Sequence, residues 1–216
     1  KFGGALNCPP GTDQDPVVVV PVTDVFVAEE LTVELWMRMD KAWTNHVVLA
    51  YSKKDDVHWE MFITPTGQLA YYTPAADPVW DASTITIADG NWHYVTMAIS
   101  PTRLVITLDG TIVHDVPMTD ARVLGLGTRE LAIGSEPHTN LAVHDGLFRL
   151  EGDIDEIRIL NKFYIPESVP TAPFEVDANT IGLWHLDEFT SDGLLLDETA
   201  NGNHARIVEF DPMVLW

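Results

Sequence analysis

The segment Leu31-Thr-Val-Glu-Leu-Trp-Met-Arg-Met39 alternates without a break. Leu31, Val33, Leu35, Met37 and Met39 fall on one side, and Thr32, Glu34, Trp36 and Arg38 on the other. A period of two is the signature of a strand with one face on a core. The same reading predicts strands over His46–Ser52, Val57–Ile63, Gln68–Tyr72, Trp92–Ser100 and Arg103–Leu108. Asp109-Gly110 sits between Leu104–Leu108 and Thr111–Val116, the dipeptide and flanks of a tight hairpin. Further strands are expected at Glu130–Gly134, Gly146–Leu150, Asp153–Leu160 and Ile181–Leu186. Turn residues punctuate these runs at Pro65-Thr-Gly67, Asp89-Gly-Asn91, Pro101, Gly125 and Gly127. No long stretch keeps a helical period, and a single helical turn is expected near Pro166–Val169. The pattern predicts an all-β fold, a sandwich of two antiparallel sheets.

The chain has 216 residues, a size at which β-sandwiches are commonly one domain. Its hydrophobic share of 46%, with 7 Trp, 5 Tyr and 8 Phe, calls for a packed core. The proline-bearing stretch Asn161–Asn179 (Pro166, Pro170, Pro173) reads as a connector. It separates a main body, residues 1–160, from a segment 181–216 too short to form a core by itself. That segment must pack on the main body or on another chain. The longest apolar run, Val17–Val20, stops at Pro21, far short of the roughly 20 residues that span a bilayer, so no membrane insertion is expected. With 12 basic against 33 acidic residues the net charge is −21, which repels phosphate backbones and disfavours nucleic-acid partners. A single cysteine, Cys8, excludes an intrachain disulfide and a cysteine-rich zinc site.

Three constellations carry candidate chemistry. Glu151-Gly-Asp-Ile-Asp-Glu156 places four carboxylates in one strand, and Asp153 and Asp155 share a face with Cα atoms about 6.7 Å apart. That spacing approaches the roughly 5–5.5 Å carboxyl separation of a retaining glycosidase; a structural or calcium-bound acidic edge is the plainer reading. Asp197-Glu-Thr-Ala-Asn-Gly-Asn-His204 is an oxygen-rich turn without the spacing of an EF-hand; it offers hard ligands to calcium, or is simply a turn. Trp43, Trp59, Tyr71, Tyr72 and Trp80 form an aromatic set. Sugars stack their C–H faces on exposed rings, and Trp43, Trp59, Tyr72 and Trp80 are the candidates, at most two of them free of the core. Trp92, opening a strand, is expected in the core. The histidines, including His46, His58, His93, His185 and His204, form no zinc-like set, and there is no nucleophile elbow or phosphate-binding glycine loop.

Taken in order, Lys1-Phe-Gly-Gly-Ala-Leu6, Leu31–Met37, Asp89-Gly-Asn-Trp-His-Tyr-Val95, Leu108-Asp-Gly110, Leu131-Ala-Ile-Gly134 and Gly152-Asp-Ile-Asp-Glu-Ile-Arg-Ile159 resemble the laminin G-like branch of the concanavalin A-like lectin/glucanase superfamily. Leu183-Trp-His-Leu-Asp-Glu188 and the Asp197–His204 turn belong to the same resemblance. It implies a jelly-roll sandwich with a calcium ion near a sheet edge, held here by Asp197, Asn201 and Asn203 with Asp153 or Asp155. It further implies a non-catalytic, extracellular carbohydrate-recognition or adhesion module, stabilised by calcium, with glycans or neighbouring copies of the protein as partners. The alternative is a structural subunit of a surface filament, sheath or virion decoration. A laminarinase-like hydrolase matches through Glu151, Asp153 and Glu156, although Gly152 stands where that motif carries an aliphatic residue. In the laminin G-like pattern the segment Leu183–His204 precedes the segment Lys1–Leu6; here it follows. Either Ile181–Val208 folds back to give a circularly permuted sandwich, or it is donated to a neighbouring copy in a strand-swapped, head-to-tail homo-oligomer.

Overall fold

The computed structural model describes residues 1–10, 17–21, 25, 28–51, 58–119, 130–135 and 148–208, and among them there are strands and no helix. The strands are β1 (Leu6–Cys8), β2 (Val17–Val20), β3 (Leu31–Arg38), β4 (His46–Tyr51) and β5 (Trp59–Ile63). Then come β6 (Gln68–Tyr72), β7 (Trp80–Thr86), β8 (Trp92–Ser100), β9 (Arg103–Leu108) and β10 (Thr111–Pro117). The last are β11 (Leu131–Ile133), β12 (Gly152–Leu160), β13 (Thr180–Trp184), β14 (Leu194–Leu195) and β15 (Ala205–Val208). They form two antiparallel sheets: β1-β12-β3-β8-β9-β10, with β13 also on β12, and β14-β15-β2-β11-β4-β5-β6-β7.

The alternating positions fill the space between the sheets. Val33, Leu35 and Met37 of β3, Val95 and Met97 of β8 and Ile154 and Ile157 of β12 pack in one cluster with Val48, Met61, Ile63 and Tyr71 of the facing sheet. The hairpin turn forms as expected: Asp109 and Gly110 have φ of 49° and 79°, and Thr111 pairs with Leu108. Both central residues at positive φ match the right-handed twist of the strands. Three expectations change. Of the strand expected at Gly146–Leu150, Arg149 forms an isolated bridge with Val47, Phe148 lies in a turn and Leu150 is buried outside any strand, its N–H on the Gly134 carbonyl, with Gly146 and Leu147 outside the described residues. Pro166–Val169 bends without a helical turn, because this stretch runs across the outer face of the first sheet. Trp92 lies outside the core, packed on that outer face with the Arg38 guanidinium 5.3 Å from its ring. Ser52, Val57, Gly125 and Gly127 lie outside the described residues.

The outer face of the first sheet carries a second, smaller core: Trp36, Tyr94 and Leu183 beneath Phe174 of the connector. Glu34 is fully buried there, held by the Tyr94 hydroxyl and the Arg158 guanidinium. Arg158 lies 4.7 Å under the Phe174 ring and donates to the Glu175 carbonyl at 3.0 Å. The Asn161 N–H donates to the Asn179 carbonyl at 2.9 Å, drawing the ends of the connector together. Beyond it, β13 pairs with β12 in register Trp184↔Ile157, and β15 lies beside β2 in register Arg206↔Val19. Trp184 is fully buried in the main core, its indole N–H donating to the Asn203 carbonyl at 3.0 Å. The terminal segment of this chain thus completes both of its own sheets.

Candidate functional site

Each carboxylate of the acidic strand has a partner, although the second oxygen of Asp155, Oδ1, is buried without one. A Glu151 oxygen accepts the Trp43 indole N–H at 2.9 Å. Asp153 takes the Arg38 guanidinium in a fork at 2.9 and 2.6 Å and the Asn7 amide at 2.8 Å. Asp155, fully buried, accepts the backbone nitrogens of Lys1 and Phe2 at 2.6 and 2.9 Å. Glu156 stands at a bulge, with φ of 56° and a register shift before Arg158. It accepts the Phe174 N–H and the His185 ring nitrogen, each at 2.8 Å, and burial pushes its carboxyl upward. Only 2% exposed, Glu156 has no path to a substrate, so the spacing shared with laminarinases does not give an open catalytic pair.

The turn after β14 is organised the same way. Asp197 is 5% exposed. Its Oδ1 accepts the N–H groups of Leu183 and Thr199 at 3.1 and 3.0 Å, and its Oδ2 the Thr199 hydroxyl at 2.8 Å and the Asn203 N–H at 2.9 Å. Asn201 donates its amide to the Ile181 carbonyl at 3.0 Å, and Asn203 presents its carbonyl to Trp184. Calcium asks for 6–8 oxygens with free lone pairs. Here the Asp197 oxygens serve N–H and O–H donors, while Asp153 and Asp155 lie at the β1 end of β12, away from β13 and the turn. Among the described residues no group of three or more His, Cys, Asp or Glu is placed to hold a metal ion. Of the five residues expected to bind calcium, Asp155 and Asp197 are engaged by main-chain nitrogens, Asn201 by a backbone carbonyl and Asp153 by the Arg38 and Asn7 side chains, and Asn203 lends its backbone carbonyl to Trp184, so their side chains are not assembled into one site.

The aromatic set separates cleanly. Trp59 is 3% exposed and stacks on Tyr51 inside the core, because it shares its side of β5 with Met61 and Ile63. It is unavailable to a ligand. Trp43 and Trp80 are 60% and 56% exposed. Trp80 pairs with Tyr72, Tyr72 with Glu60 and Glu60 with Ala50, so one row crosses β7, β6, β5 and β4 on the outer face of the second sheet. Paired residues on neighbouring antiparallel strands point the same way, with side chains in reach of each other. Tyr72, half-buried, lies 5.4 Å from the His58 ring, and His58 Nε2 is 3.2 Å from a Glu60 oxygen. Around this row the face is apolar: Val47, Ala50, Phe62, Ala70 and Ala82. At β7 and β6 this face offers an exposed indole and a half-buried phenol on which the C–H face of a polyhydroxylated ring can stack, with the edge of the Glu60 carboxylate beside them and the fully buried His58 backing Glu60 from below. Trp43 is not part of this row. Its ring rests 5.6 Å from His46 at the opening of β4, four residues and about 14 Å from Ala50.

Glu60 and His58 were not among the residues singled out from the sequence as ligand-binding. The signal was present: in His58-Trp-Glu-Met-Phe-Ile63 the two polar residues share parity with Phe62, a charge on a face otherwise built of apolar side chains.

A laminin G family model, described as the concanavalin A-like lectin/glucanases superfamily, matches residues 11–193. No protein among the curated sequences matches. Among solved structures, a putative carbohydrate binding protein from Bacteroides ovatus superposes with a TM-score of 0.64 at 12% identity, over 94% of this chain and 61% of that one. The native heptameric SAP-like pentraxin of Limulus polyphemus gives 0.59 at 13% identity, over 73% of this chain and 76% of that one. The CBM40 of Ruminococcus gnavus IT-sialidase, bound to α2,6 sialyllactose, gives 0.52 at 11% identity, over 76% and 92%. Two antiparallel sheets in this order, with a family match across most of the sequence, place the chain in the concanavalin A-like lectin/glucanase superfamily, through its laminin G-type branch.

Proposed function

We propose that this chain is a non-catalytic carbohydrate-recognition module that works outside the cell and docks a glycan on the outer face of β5, β6 and β7. The observation that carries the reading is the row Trp80–Tyr72–Glu60 with His58 beside it: an exposed indole, a half-buried phenol and a polar pair on an otherwise apolar face. The connector covers the corresponding face of the other sheet; on this one Val47, Ala50, Phe62 and Ala70 are buried with Phe148 packed against them, and the side toward β7, with Trp80, is the exposed part open to a ligand. The burial of Glu156 under Phe174 argues against hydrolysis, and the reading is supported by the similar structures of a Bacteroides carbohydrate binding protein and of a Ruminococcus CBM40 bound to sialyllactose. The test is affinity electrophoresis against immobilised neutral polysaccharides together with a glycan array that includes sialyllactose. Trp80→Ala is expected to weaken the best-bound glycan about tenfold, the value of one stacked ring, and Glu60→Gln to weaken it further. Retained affinity in Trp80→Ala and Tyr72→Ala would overturn the assignment of the face. Reducing-sugar release from any bound polysaccharide would overturn the non-catalytic reading.

A further inference from the structure

At the end of the first sheet, away from the Trp80 row, the chain forms a cleft of about 410 Å³ between the β1 end, the β3 end and the start of β12. One wall is apolar: Pro9, Pro10 and Cys8, whose thiol burial pushes up to about 12, so that it stays protonated and acts as packing. The other wall is polar and held in place. Arg38 is fixed twice, by its fork on Asp153 and by the Trp92 ring beneath its guanidinium. Glu151 lines the cleft and uses one oxygen to hold the indole of Trp43, the most exposed large apolar side chain among the described residues, at the rim. Asp40 and Lys41, also lining it, make no hydrogen bond or ion pair with any described residue.

From this arrangement we infer that the cleft is a second saccharide subsite, with Trp43 as its stacking platform and Glu151, Arg38, Asp40 and Lys41 as its hydroxyl partners. The inference rests on the carbohydrate reading of the chain but uses none of the residues of the Trp80 row. The charge balance selects the ligand class. Two cations, Arg38 and Lys41, face three carboxylates, Asp40, Glu151 and Asp153, so the cleft is close to neutral and gives an ionic ligand no strong partner. The overall charge of −21 further disfavours anions. Vicinal hydroxyls, in contrast, each donate and accept, and need donors and acceptors side by side. The Arg38–Asp153 pair and the Glu151–Lys41 rim supply both, and the prolines and Trp43 supply the apolar contact a sugar ring requires. Two subsites on different parts of the sandwich let one module hold two points of a chain, or two chains, and gain avidity without further contacts.

The test is an NMR titration of the whole 216-residue chain with neutral monosaccharides (glucose, galactose, mannose and N-acetylglucosamine) at millimolar concentration, following the Trp indole and Arg Nε–H signals. The Trp43 and Trp80 signals are assigned from Trp43→Phe and Trp80→Phe. The Trp43 indole and Arg38 Nε–H signals are expected to move with at least one sugar, in the wild type and equally in Trp80→Ala. Glu151→Ala, which frees the indole, should weaken that response about fivefold to tenfold. A Trp43 signal that stays still while Trp80 responds would overturn the second subsite alone. Movement at Trp43 that disappears in Trp80→Ala would also overturn it, since the effect would then originate at the other face. Silence at both indoles with every sugar would overturn the carbohydrate reading and the subsite together.

Discussion

Replacing Asp197 by alanine removes one carboxylate and deprives four donors of their acceptor: the N–H groups of Leu183, Thr199 and Asn203 and the Thr199 hydroxyl. Not all of these stay unsatisfied. The hydroxyl rotates, and the Asn203 N–H sits on a residue that water reaches. Leu183 and Thr199 are buried, at 1% and 8% exposure, and their N–H groups have nowhere else to turn. Two buried donors at about 1–3 kcal/mol each, with the charge-assisted bonds lost, give about 3–5 kcal/mol. For a chain of this length each kcal/mol moves the melting temperature by about 2–4 °C, so Asp197→Ala should melt about 10 °C lower. Asp197→Asn keeps one acceptor oxygen and turns a donor toward the Thr199 hydroxyl and Asn203, and should lose about half as much. The assay is thermal unfolding by circular dichroism, each protein measured once in chelator and once in excess calcium. Because the carboxylate here serves backbone, the loss is expected to be the same in both buffers. A loss seen only in calcium would show that Asp197 acts through a metal ion; a variant within about 0.5 kcal/mol of wild type would show that the turn does not depend on it.

Gly152→Ala should lower the urea midpoint by the equivalent of about 2–3 kcal/mol, because the new Cβ would lie 2.3 Å from the Arg38 carbonyl oxygen, a backbone atom that cannot swing aside. An unchanged midpoint would show that β3 and β12 separate at no cost. Asp89 is held from 3.8 down to about 2, first by the Asn91 backbone N–H and then by the Asn91 and His93 side chains. Its folded-state value is thus below the unfolded one, so its contribution is present above the ordinary carboxylate range and is lost as pH falls through about 2. Since Asp89 is exposed the contribution is small; Asp89→Ala should lower the neutral plateau slightly and converge with the wild type at the acid end, so that the acid limb of its pH–stability curve is shallower. An acid limb of unchanged steepness would count against this.

The strands legible in the sequence are those with one face on the core. Gln68–Tyr72, Trp92–Ser100 and Arg103–Leu108 form with the ends expected, because their alternation is enforced by packing. The strand β7 is not legible: Trp80-Asp-Ala-Ser-Thr-Ile-Thr86 lies at a sheet edge, mostly exposed, so neither side of it is selected for apolar residues. The short strands β1, β14 and β15 carry too few residues for a period to register. At the candidate site, composition alone did not separate Trp59 from Trp80; parity with Met61 and Ile63 does, once β5 is known to be a strand. The role of the Asp197 turn is not legible for a chemical reason. A carboxylate that organises backbone N–H groups and one that binds calcium use the same oxygens and the same Asn-Gly-Asn neighbourhood, and only the three-dimensional positions of the donors tell them apart.

The pairing of β15 with β2 and of β13 with β12 also dictates an order of assembly. The runs β4-β5-β6-β7 and β8-β9-β10 pair strands that follow one another in the chain, and β13 reaches β12 across a single connector. The contact between Arg206 and Val19 instead closes a loop of nearly the whole chain, about 2 kcal/mol costlier in chain entropy than the connector. The meanders should therefore form first and the β2–β15 seam last, on the millisecond-to-second scale of sandwiches rich in distant pairings. Until the seam closes, β2 offers an open edge to any β15 in reach, that of another molecule included. Refolding yield should accordingly fall as protein concentration rises, even though the finished module keeps its own terminal segment in place.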